Sequence, residues 1–183
     1  MPASSPRYQA TVASSASPSG AGPVPKARSK AEESMTCGSV CALAEAYRAW
    51  AVRRPHRYLL VQGTPVPGCT APADTVERAR AALGPFLEVF ATASPTAAVL
   101  PVVEETDSWA RRDDAVAAWV TTHTGERAAA APGVPLTGAV LAWSHLHGAV
   151  GLETAGQLEG MGHSGATLLT ARIDSLADSF GRA

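Results

Sequence analysis

An all-α fold is predicted for this 183-residue chain by three features of its sequence. Apolar residues recur at helical spacing in several separate stretches, no stretch sustains the period-2 alternation of a half-buried strand, and the breaks between stretches fall at Pro and Gly. Aromatics are only 5% of the residues and Ala is frequent, so the helices must approach one another closely. A body of this size can bury a substantial core.

Residues 1–34 are mostly Ala, Ser, Pro and Gly without apolar periodicity, so a disordered tail is expected there and a single domain over 35–183. The first helix is expected from about Gly38, with Val40, Leu43, Tyr47 and Trp50 on one side and Pro55 as its stop. "HRYLLVQG" reads as a short apolar helical turn closed by Gly63, and "TPVPG" as a rigid turn held extended by Pro65 and Pro67. Over 71–91 the pattern returns through Val76, Leu83, Leu87 and Phe90, with Gly84-Pro85 expected to kink or split it. "ASPTAAVLPVVEETDSWA" is ambiguous between loop and short helix. "RRDDAVAAWVTTHTG" places Val116, Trp119, Val120 and His123 on one face and ends at Gly125. After a further loop come two helices, 137–159 and 165–180; Ser164 is the N-cap of the second, Leu169, Ile173, Leu176 and Phe180 its stripe, and Gly181 its end.

Composition excludes several functions. The formal net charge is −1, which leaves no excess of Lys and Arg for a phosphate-binding stripe. No apolar signal segment precedes the body, and the longest apolar run contains His, Ser, Gln and Glu, against a membrane span. A cytoplasmic protein with reduced Cys37, Cys41 and Cys69 is expected. Cys37 and Cys41 share a helix face, but with no histidine nearby they fit small-residue packing rather than a metal site.

The helix "LAWSHLHGAVGLETAGQL" carries the most information. An ordinary surface helix has one apolar stripe and a charged back. Here Val140, Trp143, His147, Gly151, Thr154 and Leu158 fall on one face, Leu141, His145, Gly148, Leu152 and Ala155 on another, and the nearby charges are Glu153 and Glu159. Both faces require cover. One can pack on its own domain, and the other most simply meets the same helix of a second copy, with Gly148, Gly151 and Ala155 admitting close backbone approach. His145 and His147, two apart on a helix, point about 200° away from each other and cannot hold one metal ion. Ser144 and His147 lie three apart, but no orienting acid or strand-to-helix elbow accompanies them.

"AYRAWAVRRPHRYLLVQGTPVPG", followed by "LAWSHLHGAVGLE", resembles the C-terminal regulatory domain of TetR-family transcriptional regulators of the Trp-His-Gly type, here Trp143, His147 and Gly148. The similarity spans about 38–181. It implies an all-helical domain that binds a small, mostly apolar effector and dimerises through its last two helices, without enzymatic activity, metal or cofactor. Tyr58, Phe86, Trp119, Trp143 and His147 are then the candidate pocket residues. The interface would hold Leu141, His145, Gly148, Leu152, Ala155, Leu169, Ile173 and Leu176. Family members also carry an N-terminal helix-turn-helix. Residues 1–34 cannot form one, so DNA is expected to be reached only through an intact partner, as a homodimer or a heterodimer with a full-length paralogue. Gln62 and Cys69 stand where larger apolar side chains are expected, which would alter cavity shape. Two rivals remain: a truncated subunit that modulates complete regulators, and a small helical enzyme using His145 or His147 with Glu153 or Glu159.

Overall fold

In a computed structural model, residues 30–62, 72–128 and 130–181 are described, with side chains from Gly38 onward. Seven α-helices and no strand are found among them: α1 (Lys30–Arg53), α2 (Pro55–Gln62), α3 (Thr75–Phe90), α4 (Leu100–Arg112), α5 (Asp114–Thr124), α6 (Gly133–Thr154) and α7 (Gly165–Asp178). A 3-10 turn, Gly125–Ala128, follows α5. None of these helices is long and apolar enough to cross a membrane. Residues 1–29, the Gly63 stop, the Pro65 and Pro67 turn, Cys69 and the Cys37 side chain lie outside the described residues. α1 begins at Lys30, so it takes in the last residues of the stretch assigned to the tail.

Local chemistry explains most boundaries. Ser164 caps α7 by accepting from the Thr167 amide at 3.1 Å, and Gly181, at φ 97°, turns the chain after it. Asp113 caps α5 by accepting from the amides of Ala115 and Val116 at 2.9 and 3.2 Å, and Gly125, at φ 57°, ends it. The ambiguous stretch resolves into a loop over 93–99 and α4 from Leu100 onward, opened by Pro101 in its first turn. Residue Gly133 opens α6, its amide donating to Asp107 Oδ1 of α4 at 3.3 Å, so a neighbouring helix supplies the cap. α6 therefore starts earlier than expected and also ends earlier, at Thr154, leaving Leu158 and Glu159 in a turn where Gly156, Gly160 and Gly162 have positive φ.

Gly84-Pro85 does not split α3. Pro85 is exposed and lacks the N–H that would serve the preceding turn. The Trp119 indole of α5 donates to the Arg80 carbonyl at 3.1 Å, and Gly84 leaves room for the His123 ring, so α5 lies tightly along α3 beside the proline.

α6 forms the axis of the domain and packs against α1, α2, α3, α4 and α7. Its core stripe is Leu136, Ala139, Ala142, Leu146, Ala149 and Val150, all essentially buried. At Gly138 the Phe90 ring lies against the α6 backbone, and Phe90 in turn packs on Phe180 with centroids 4.8 Å apart. Thr137, fully buried, shares a 2.8 Å hydrogen bond with Thr106, whose hydroxyl also donates to the Gly133 carbonyl at 2.9 Å. This joins α4 to α6 without an unpaired hydroxyl.

Two placements differ from expectation. Val140, grouped with Trp143 and His147 on one face, is 40% exposed, because the stripe Ala139, Ala142, Leu146 and Ala149 turns inward instead. Leu169, Ile173 and Leu176, assigned to a subunit interface, are 3%, 1% and 1% exposed within the single chain. Their stripe is the only apolar face α7 has, and it closes the core against α1 and α6.

Candidate functional site

Tyr47 and Trp50 lie one turn apart on α1, which places both rings on the side that meets α2 and α6. Pro55 stops α1 and starts α2 within two residues, so the chain doubles back and brings Tyr58 beside them. Tyr58 packs edge-on to Tyr47 and Trp50 at 6.1 and 6.2 Å, and it is 1% exposed. α6 contributes Trp143 and His147, one turn apart, whose rings lie 3.9 Å from each other. Trp143 meets Tyr47 edge-on at 5.7 Å. Five rings from three helices thus form one cluster, each pair in a tilted or edge-to-face arrangement that aromatic quadrupoles favour.

Three polar groups sit within the cluster. The Tyr47 hydroxyl is 3.5 Å from His147 Nε2 and receives a 3.3 Å hydrogen bond from the Gln62 amide at the end of α2. Burial, followed by the neighbouring Tyr58, holds the Tyr47 phenol well above its ordinary pKa, so it stays protonated. Desolvation lowers the pKa of His147, which stays neutral near pH 7. The result is an aromatic patch carrying uncharged donors and acceptors. Gly151, the next turn of α6, lies beside the Tyr58 hydroxyl, 3.6 Å from where a Cβ would stand.

Immediately outside the cluster, Arg48 clamps Glu153 with two bonds, Nε to Oε2 at 2.7 Å and Nη2 to Oε1 at 2.5 Å. The Glu153 carboxylate rests on Gly165, the first residue of α7, where the helix dipole also favours negative charge. α1, α6 and α7 are fastened at this point. Glu153 is therefore committed to Arg48 rather than available as a general base.

Of the five expected pocket residues, the structure brings Tyr58, Trp143 and His147 together. Phe86 is buried one turn before Phe90 on α3, and the single donor of Trp119 is spent on Arg80, so these two belong to the α3–α5 packing. Tyr47 and Trp50 were expected as core rather than site residues, and Gln62 only as a departure that alters cavity shape. The signal of the two rings was their i, i+3 spacing near the end of a helix that Pro55 stops. His145 and His147 diverge as their spacing requires: His147 faces Tyr47, while His145 lies by Arg172 of α7. Among the described residues no cluster of three His, Cys, Asp or Glu side chains is placed to hold a metal ion.

Residues 40–176 match the family model described as the tetracyclin repressor-like C-terminal domain. The chain belongs to that family. The HTH-type transcriptional regulators Rv1816 of Mycobacterium tuberculosis and Mb1846 of Mycobacterium bovis are each 33% identical to it over 124 residues. That alignment covers 64% of this chain and 48% of either relative, so the chain spans about half the length of the curated relatives it matches. A crystal structure described as that of a regulatory protein, SCO4313, superposes with a TM-score of 0.50 at 32% identity, covering 80% of this chain and 68% of the other. What the chain shares with these regulators is the tetracycline-repressor-like C-terminal domain.

Lowered histidine pKa values have a consequence for stability. Desolvation depresses His147, and desolvation followed by the Arg172 charge depresses His145, so both bind protons less readily folded than unfolded. Wherever the unfolded chain binds more protons, stability rises with pH. The contribution is complete above the unfolded value of about 6.5 and is lost as pH falls from there through the lowered folded values. Tm measured by differential scanning calorimetry is expected to fall between pH 7.5 and pH 5, with a shallower slope in His147→Gln. An identical slope in that variant would count against a buried neutral His147.

Proposed function

We propose that this domain senses a small, largely apolar effector at the Tyr47, Tyr58, Trp143 and His147 cluster, and that it works as a homodimer in the cytoplasm without enzymatic activity. The observation that carries this is the junction of α1 and α6 through aromatic rings and neutral polar groups, with Tyr47 touching both Trp143 and His147. Small-molecule sites combine apolar and aromatic walls with a few oriented polar groups, and this is that chemistry. A ligand bound more tightly by one separation of α1 and α6 than by another would shift their equilibrium. Dimerisation is proposed through the outer face of α6, where Val140, Ser144, Gly148, Leu152 and Ala155 are exposed in the single chain. With a net charge of −1, these residues have no excess of Lys and Arg for a phosphate-binding stripe, so DNA contact is proposed to run through a helix-turn-helix unit rather than through the surface of this domain.

The neutral fluorophore N-phenyl-1-naphthylamine tests the site. It is expected to quench Trp50 and Trp143 by energy transfer, and Tyr47→Phe, which removes one hydroxyl and keeps the ring, is expected to leave its affinity unchanged to within about twofold. His147→Leu is expected to change it by about fivefold, the worth of one hydrogen bond. Absence of saturable quenching in a folded sample, or equal affinity in the wild type and His147→Leu, would overturn the assignment.

A further inference from the structure

A second ligand-sized space lies elsewhere in the fold, between α1 and α7. It is a groove of about 300 Å³, at the lower end of the ~300–1,000 Å³ typical of small-molecule sites. Its floor is apolar, formed by Ala44, Leu169 and Ile173, each at most 3% exposed. Glu45, Arg48 and Thr170 supply the polar rim.

The rim has a definite polarity. Arg48 is neutralised by its two bonds to Glu153. The Thr170 hydroxyl donates its proton to the Ala166 carbonyl at 3.1 Å, which leaves its oxygen as an acceptor. Glu45 is exposed and has no ion pair among the described residues. Besides Cys41, what the groove offers a ligand is one carboxylate and one hydroxyl lone pair above an apolar floor, with its one lining cation already engaged by Glu153.

We infer that this groove binds small primary-ammonium amphiphiles, the ammonium between Glu45 and Thr170 and the alkyl chain along Leu169 and Ile173. An alkyl carboxylate would set its charge against Glu45 and would need Arg48 to leave Glu153. A neutral alcohol would keep the apolar contact and lose the charge term. This site is separate from the aromatic cluster, since Tyr47 faces α6 whereas Glu45 and Arg48 line the α7 side.

The full chain, labelled for ¹H–¹⁵N and methyl NMR, is to be titrated with n-octylammonium, n-octanol and octanoate. Saturable shifts at Leu169, Thr170 and Ile173 are expected with n-octylammonium, weaker ones with n-octanol and none with octanoate. Glu45→Gln, on an exposed helix position that leaves the fold intact, is expected to weaken n-octylammonium about fivefold, the upper range for a partly exposed ion pair. Ala49→Leu, which fills the same groove, is expected to abolish the shifts while thermal unfolding stays cooperative. Equal binding of octanoate and n-octylammonium, unchanged affinity in Glu45→Gln, shifts confined to Trp143 and His147, or no saturable shift would each overturn the inference. Shifts confined to Trp143 and His147 would place the amphiphile at the effector site instead, and that site is itself tested by a neutral probe and different residues.

Discussion

Replacing Gly138 with Ala is expected to destabilise the domain by about 2 kcal/mol, although the change favours helix formation. Alanine in place of a mid-helix glycine contributes about 1 kcal/mol of propensity. The opposing effect is larger. A Cβ at 138 would overlap Phe90 Cγ and Cδ2 and stand 2.7 Å from its Cβ. Phe90 is fully buried and wedged against Phe180, so its ring has nowhere to move without displacing α3 or the end of α7. Overpacking of this kind costs about 3 kcal/mol at the upper end of its usual range. For a domain of this size the net loss corresponds to roughly 4–8 °C in Tm. Phe90→Leu in the same chain should recover part of it, since contacting residues do not act additively. An unchanged or raised Tm in Gly138→Ala would mean that α3 and α6 are not in contact at this level.

How far the fold could be read beforehand depended on whether a helix has a polar back. α7 has one: Thr170, Arg172 and Ser175 are exposed, so the stripe Leu169, Ile173, Leu176 and Phe180 was evident, as was the Ser164 cap. Its destination was misjudged, because periodicity says which residues are covered and not whether the same chain covers them. α6 has no such back. With apolar residues on every side, the pattern carries no phase, and its true core stripe through Ala142, Leu146 and Ala149 was not distinguished from the faces beside it. The α3 proline misled for a related reason: α5 packs along α3 there, with Trp119 donating to the carbonyl of Arg80, 39 residues away.

The candidate site was partly legible. Trp143 and His147 stood out through the family motif, and Tyr58 as an aromatic in a short apolar turn. Tyr47 joined them only when Pro55 reversed the chain and α1 came to lie along α6. The Arg48–Glu153 clamp connects residues 105 apart, beyond any local rule. A trace of it did exist, since Glu153 was one of two charges at the end of an apolar helix and a charge half-buried there needs a partner.

Gly148→Glu is expected to separate the stability of the subunit from its assembly. A Cβ at Gly148 meets no heavy atom within 4 Å, so within one chain the position is open, and leaving glycine favours α6 by up to about 1 kcal/mol. Tm of the isolated subunit should therefore hold or rise. In the proposed homodimer the same surface meets itself across a two-fold axis, so glutamate at 148 arrives twice, on a face otherwise made of Val140, Ser144 and Leu152. Two carboxylates facing each other in a desolvated interface cost several kcal/mol, which raises the dimer Kd by roughly a hundredfold or more. Leu169, Ile173 and Leu176 offer no such separation, because they are buried in the monomer and truncating them would unfold it. Sedimentation equilibrium of the wild type and Gly148→Glu across a concentration series decides the matter. A variant that stays dimeric at wild-type affinity would move the interface off the outer face of α6, and a monomeric wild type at high concentration would remove the homodimer itself.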